Sequence, residues 1–298
     1  MKYSFTIAAL AALATASPVV KRAAALTDAD ILNYALTLEH LEDKFYREGL
    51  ANYTQADFVA AGFPDPFYAN LKEVSSDETT HVGFLTTALK AAGAVPVEEC
   101  TYAFPSTDVK SFVGLAGILE GVGVSAYLGA AASIATKAYL TAAGSILTVE
   151  ARHSSYLRAS QAQSPFPQPF DDPLTLNEVF TLAAPFIVSC PASNPALPVK
   201  AFPALALTTT GTIKTGSTIT LSTPGYTLAA ADGKAPVYAA FITVTGPIYA
   251  DATPVDGGFS LVVPAGVNGQ SYVVLTGCTD AVNDDTVAAG PAIIEIDN

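Results

Sequence analysis

The sequence predicts an α+β, multidomain chain in which a four-helix bundle is followed by a small immunoglobulin-like β-sandwich. Two observations carry the architecture. Up to about residue 195, apolar residues recur at helical spacing in four long stretches. Beyond it, short Val/Ile/Thr/Tyr runs alternate with Gly, Pro, Asp and Asn. A third observation points to chemistry: two of the three histidines follow a glutamate by three residues, in Glu78-Thr79-Thr80-His81 and Glu150-Ala151-Arg152-His153. Residues i and i+3 share one helix face, so each motif aims a carboxylate and an imidazole at one point.

The elements follow in order. Residues 1–22 read as a secretory signal and a dibasic pro-segment. Lys2 precedes the apolar run Phe5 to Leu13, which is too short to span a bilayer. Ala14-Thr15-Ala16 is a cleavage site and Lys21-Arg22 a second one. The bundle with its short fifth helix occupies 23–193. Its first helix opens at the cap Thr27-Asp28-Ala29-Asp30 and runs to about Glu48. Thr54 caps a short helix ending at Gly62, and the next long helix begins after Pro64-Asp65-Pro66 and runs to about Ala92. Pro96 to Pro105 is a loop. Long helices at about 108–130 and 137–161 follow, and the prolines of 164–169 end the last of these. Thr175-Leu176-Asn177-Glu178 opens a shorter helix to about Val188, which Pro185 should kink or end early. From 200 to 298, strands are expected near 201–208, 217–222, 236–244, 247–251, 258–263, 271–276 and 291–296. Turns are expected at Pro224-Gly225, Asp232-Gly233 and Asp256-Gly257-Gly258.

Composition narrows the function classes. Half of the 298 residues are apolar, 14% are charged and the formal charge is -13, which disfavours nucleic acid and anionic membrane surfaces as partners. Apart from the N-terminus there is no run of 18 apolar residues, so a soluble secreted protein, extracellular or in the cell wall, is expected. Of the three cysteines, Cys100 and Cys190 follow helical regions and are expected to pair. Cys278, alone among the strands, is expected to be a buried free thiol. Asn52-Tyr53-Thr54 is a glycosylation acceptor sequence.

The histidine motifs belong to a larger pattern. Glu39 is followed seven residues later by Tyr46, and Glu120 seven residues later by Tyr127. The order Glu…Tyr, then Glu-x-x-His, thus occurs twice, as a repeat of two helical hairpins. Glu, Glu-x-x-His, Glu, Glu-x-x-His on four helices is the ligand set of a ferritin-like carboxylate-bridged dimetal site. The candidate metal ligands are therefore Glu39, Glu78, His81, Glu120, Glu150 and His153. Glu42 is the substitute for Glu39, or a neighbouring acid. Glu120 lies in Leu115-Ala116-Gly117-Ile118-Leu119-Glu120-Gly121-Val122, where an uncompensated carboxylate would cost several kcal/mol. Four carboxylates and two neutral imidazoles match the charge of two divalent ions, and this oxygen-rich set suits two Fe or two Mn ions. His40 points about 100° away from Glu39 and reads as a non-ligand. Tyr46 and Tyr127 read either as ligand-bonded phenols or as core aromatics.

Residues 27–190 resemble the secreted ferritin-like domain proteins of fungi, a group associated with stress response and late sexual development, and are similar to plant desiccation-related proteins. The stretches that carry the resemblance are Tyr34-Ala35-Leu36-Thr37-Leu38-Glu39-His40-Leu41-Glu42, Asp77-Glu78-Thr79-Thr80-His81 and Ala142 to His153. The resemblance implies a ferritin-like bundle whose metals meet a small-molecule oxidant, O2 or H2O2. A non-enzymatic metal-binding structural or cell-surface protein is the alternative. On either reading the C-terminal module would serve a cell-wall or protein partner. Cage-type iron storage is disfavoured by that module and by the glycan.

Overall fold

The computed structural model describes residues 26–228 and 236–297. The N-terminal processing sites and the Asp232-Gly233 turn lie outside the described residues.

Four long helices form two antiparallel hairpins. The first pairs α1 (Asp28–Asn52) with α3 (Phe67–Ala91), with short α2 (Gln55–Ala61) between them. The second pairs α4 (Val109–Ala130) with α5 (Lys137–Ser160). Reciprocal capping boxes set the helix starts where the sequence signals them. Thr27 and Asp30 exchange bonds at α1, as Thr54 and Asp57 do at α2. Asp108 and Ser111 close α4 in the same way, and Thr175 and Glu178 close α6 (Leu176–Ala183). Pro185 ends α6 early, as expected, and residues 184–186 form one 3-10 turn. The first helix runs one turn beyond its expected end, to Asn52. α4 is long and apolar enough to cross a membrane by composition, but 67% of its most apolar window is buried among the other elements.

The loop after α3 holds a short strand absent from the sequence reading, β1 (Thr101–Tyr102), which pairs antiparallel with β2 (Ile187–Ser189). A disulfide joins Cys100 to Cys190 beside it, across a separation of 90 residues. Closing a loop of that size stabilises the fold by about 4–5 kcal/mol on the chain-entropy argument. The bond fits an oxidising, secretory route. Cys278 is free, and it is half-exposed rather than buried as expected.

The C-terminal region contains β3 (Ala206–Leu207), β4 (Thr218–Ser222), β5 (Val237–Phe241), β6 (Ile248–Val255), β7 (Gly258–Val262), β8 (Gly269–Thr276) and β9 (Val287–Ile296). They form one antiparallel sheet in the order β3-β4-β7-β6-β5-β8-β9. This corrects the expected immunoglobulin-like sandwich, because the strands do not divide clearly into two facing sheets. The reason lies in β6. Its first half pairs with β5 (Ala252 opposite Val237) and its second half with β7 (Thr253 opposite Ser260), which carries the sheet around the corner unbroken. The two ends of the sheet then meet, where the Gly290 N–H donates to the Pro203 carbonyl at 2.9 Å. The result is a nearly closed barrel around Ile219, Leu221, Phe241, Phe259, Val273 and Ile294.

Barrel and bundle share a second apolar cluster. Tyr34, Val122, Leu174 and Val179 pack against Ile242, Tyr272 and Val274. Strand β8 is therefore buried on both faces, which accounts for the consecutive apolar residues Tyr272 to Leu275 at its centre. The Tyr272 hydroxyl reaches the Gly121 carbonyl on α4 at 2.9 Å, and Arg158 of α5 forms a two-pronged ion pair with Glu295 of β9.

Candidate metal centre

The six residues singled out by the Glu-x-x-His repeat come together at the centre of the bundle, one hairpin supplying Glu39 (α1), Glu78 and His81 (α3), the other Glu120 (α4), Glu150 and His153 (α5). The four carboxylates are wholly buried, and the imidazoles are 7–8% exposed. Their atoms fall into two overlapping groups. Glu39, Glu78, His81 and Glu150 form one. Glu78, Glu120, Glu150 and His153 form the other. Within each group the offered ligand atoms lie within 4.8 Å of one another. Glu78 and Glu150 belong to both, which is where bridging carboxylates stand in a dimetal site. His81 Nδ1 is 3.2 Å from an oxygen of each of Glu39, Glu78 and Glu150. His153 Nδ1 is 3.1 Å from Glu78, 3.3 Å from Glu120 and 3.8 Å from Glu150.

Whether this cluster fits a pair of cations can be tested on its unsatisfied atoms. Glu39 Oε2, Glu78 Oε1, Glu120 Oε2, both oxygens of Glu150 and His153 Nδ1 are buried without a hydrogen-bond partner among the described residues. Orphaned buried carboxylate oxygens are rare because each costs about 1–3 kcal/mol or more. Here they gather on one point. The outward-facing oxygens, by contrast, are satisfied. The Tyr46 hydroxyl donates to Glu120 Oε1 and the Tyr127 hydroxyl donates to Glu39 Oε1. Each tyrosine thus holds the glutamate of the opposite hairpin, so the Glu…Tyr repeat is a reciprocal cross-brace. Burial raises the pKa of both phenols, as do the neighbouring carboxylates, so both remain donors.

The electrostatics follow from density of charge. Burial pushes the carboxyls of Glu39 and Glu120 well above the usual range, with the other glutamates adding to the effect. Glu150 goes the other way. Burial would raise it, but the His153 and His81 imidazoles beside it hold it at about 2. Burial alone would lower both imidazoles, yet the three carboxylates around each raise them.

Glu42 lies outside both ligand groups. It is 4% exposed, beside the cluster, and its carboxyl is raised by burial and then by repulsion from Glu150 and Glu78. Room for it comes from Gly123, where an added Cβ would stand 3.0 Å from Glu42 Oε1. His40 faces away from the centre, with Nε2 3.2 Å from the Val97 carbonyl. One participant was not anticipated. Asp77 Oδ2 lies 3.1 Å from His153 Nε2, leaving Nδ1 to face the cluster. The signal for it was the acid directly preceding Glu78. Thr79 also joins the hairpin, donating to Asp43 Oδ1 at 2.6 Å. Asn52 is exposed at the end of α1, and Thr54 of the same acceptor sequence caps α2.

Fold and site together define the class: a helical ferritin-like region with a buried Glu/His cluster that resembles a dimetal carboxylate site. Comparison with known proteins agrees, since residues 27–163 match the model of the ferritin-like domain. The chain is also similar to Protein rds1 of Schizosaccharomyces pombe (strain 972), a distant relative, at 29% identity over 180 residues. The match covers 60% of this chain and 44% of the relative, so the chain spans less than half of that protein's length.

Proposed function

We propose that Glu39, Glu78, His81, Glu120, Glu150 and His153 hold two Fe or two Mn ions, and that the chain is a secreted protein of stress response whose metal pair reacts with O2 or H2O2. The observation that carries this reading is the pair of overlapping ligand groups whose centre-facing oxygens have no hydrogen-bond partner among the described residues. Two adjacent redox-active ions supply the electron exchange that O2 or peroxide chemistry requires. The chain's own residues supply position. Tyr46 and Tyr127 hold Glu120 and Glu39, and Asp77 holds His153. Four wholly buried carboxylates exclude bulk water from the centre. The exposed Asn52 carries a glycan on this reading, and the barrel serves a wall or protein partner.

Metal analysis of protein purified from metal-replete growth, with an optical spectrum and assays for peroxide, O2 and Fe2+ turnover, tests the proposal. Two ions per chain with turnover of one of these is the expected result. Native protein almost free of metal sinks it. The same buried ligand set also suits a metal that only stabilises the fold. Loaded protein without turnover establishes that second reading, a non-enzymatic structural or cell-surface role.

A further inference from the structure

On the far side of α4 and α5 from the first hairpin, a cavity of about 200 Å³ opens between bundle and barrel. One wall is a strap, residues 164–173, that contains Pro165, Pro167, Pro169 and Pro173. Proline fixes φ, so this strap gains little freedom by leaving its place. It is also pinned. Arg158 Nε donates to the Ser164 carbonyl at 2.8 Å, and the Leu174 N–H donates to the Ser125 carbonyl at 3.2 Å. Pro167 rests on Gly269 of the barrel (φ +68°), where an added Cβ would come within 2.5 Å of the proline ring.

This rigid strap holds Phe166 at the cavity mouth with 82% of its surface exposed. A phenyl ring kept in water by a braced backbone is a surface for a ligand to stack on. The strap also places Asp171 and Asp172 on the cavity wall. Asp172 is 4% exposed; Gln168 donates to its Oδ2 at 3.0 Å, while Oδ1 has no protein partner among the described residues. Among the described residues no cation neutralises it, because the one guanidinium lining the cavity, Arg158, is taken by Glu295. Burial accordingly pushes the Asp172 carboxyl up to about 6. Opposite, the Ser154 and Ser155 hydroxyls have no hydrogen-bond partner among the described residues. The Gln270 amide spends its N–H groups on Ile118 and Tyr272, leaving its carbonyl oxygen as an acceptor.

We infer that this cavity binds one ring of a neutral saccharide, stacked on Phe166 and held by Asp171, Asp172, Ser154, Ser155 and Gln270. Sugar hydroxyls both donate and accept, matching carboxylates on one wall and serines on the other. A pyranose also presents an apolar C–H face to a phenyl ring. Two carboxylates in a chain of charge -13 exclude anions. The cavity admits a single ring and opens to solvent, so the ligand is the end or a branch of a glycan. Bundle and barrel each contribute, which gives the two regions a shared binding site.

Calorimetric and saturation-transfer titration of the full, metal-loaded chain with glucose, mannose, N-acetylglucosamine and their trisaccharides tests the inference. The expected result is saturable binding of at least one of them, weakened about tenfold by Phe166→Ala. Loss of binding in Asp172→Asn, with circular dichroism and metal content unchanged, is also expected. Phe166 is exposed, so its variant keeps the fold. The inference is overturned if no probe saturates at tens of millimolar. Equal binding by Phe166→Ala and Asp171→Asn overturns it too, as does preference for a polyamine such as spermidine.

Discussion

Bundle and barrel are buried to a similar depth and filled with opposite materials. Among the described residues, the buried side chains of the barrel are Ile, Leu, Val, Phe, Ala and Tyr272, with Thr223, Ser271 and Thr276 besides, and all the buried charged groups lie at or before Glu178. The barrel interior explains itself through apolar area and strand pairing. The bundle interior does not, since its unsatisfied carboxylate oxygens raise its free energy until something positive joins them. The barrel core is therefore a solution to folding, and the bundle core holds a charged cluster that folding alone does not explain.

That contrast can be broken most severely at the shared ligands. Replacing Glu78 or Glu150 by Ala removes a residue common to both groups, so metal content should fall from two ions to none by elemental analysis. Glu120→Gln should cost one position only. Retention of both ions in Glu78→Ala would mean the cluster is not the site. The reverse cut is Phe259→Ala in the barrel, which should destabilise by about 3–5 kcal/mol in denaturant unfolding while leaving metal stoichiometry intact. Smaller effects come from the braces. Tyr46→Phe and Tyr127→Phe should each cost about 1–2 kcal/mol and weaken metal binding by about 10–100-fold in chelator competition.

The subtlest test is pH. In the metal-free protein the carboxyls of Glu39, Glu42 and Glu120 and the imidazoles of His81 and His153 all have pKa values raised by folding. From about pH 4.5 upward the folded state thus holds more protons than the unfolded chain, and stability falls as pH rises. Glu150 has the opposite sign, but its contribution is lost only as pH falls through about 2. Chelated protein should melt a few degrees higher at about pH 5 than at about pH 8. Loaded protein should reverse that order, because the metals require the same groups deprotonated. Parallel curves for the two forms would separate the ions from these side chains.

Much of the centre was legible because its information is local. A helix turns Glu-x-x-His into one face without tertiary help, and two copies of Glu…Tyr chose Glu39 over Glu42. The capping pairs and Pro185 marked helix ends for the same reason. What escaped is non-local. Seven strands were countable, but that β6 serves both β5 and β7, or that β9 returns to Pro203, is set by pairings between residues up to about 90 positions apart. The cross-hairpin reach of each tyrosine, and the placing of Asp77 against His153, needed the bundle to be assembled first. The strands of two and three residues beside the disulfide are too short to carry a period.

The Glu…Tyr repeat makes the two hairpins near copies, and Asp77 makes them differ. His153 has a carboxylate behind its ring, while among the described residues His81 has none. The imidazole with the acid behind it is the more electron-rich donor. Two ions in this bundle would stand in inequivalent fields, with distinct affinities and potentials, and the pair would carry a built-in direction along which electrons prefer to move.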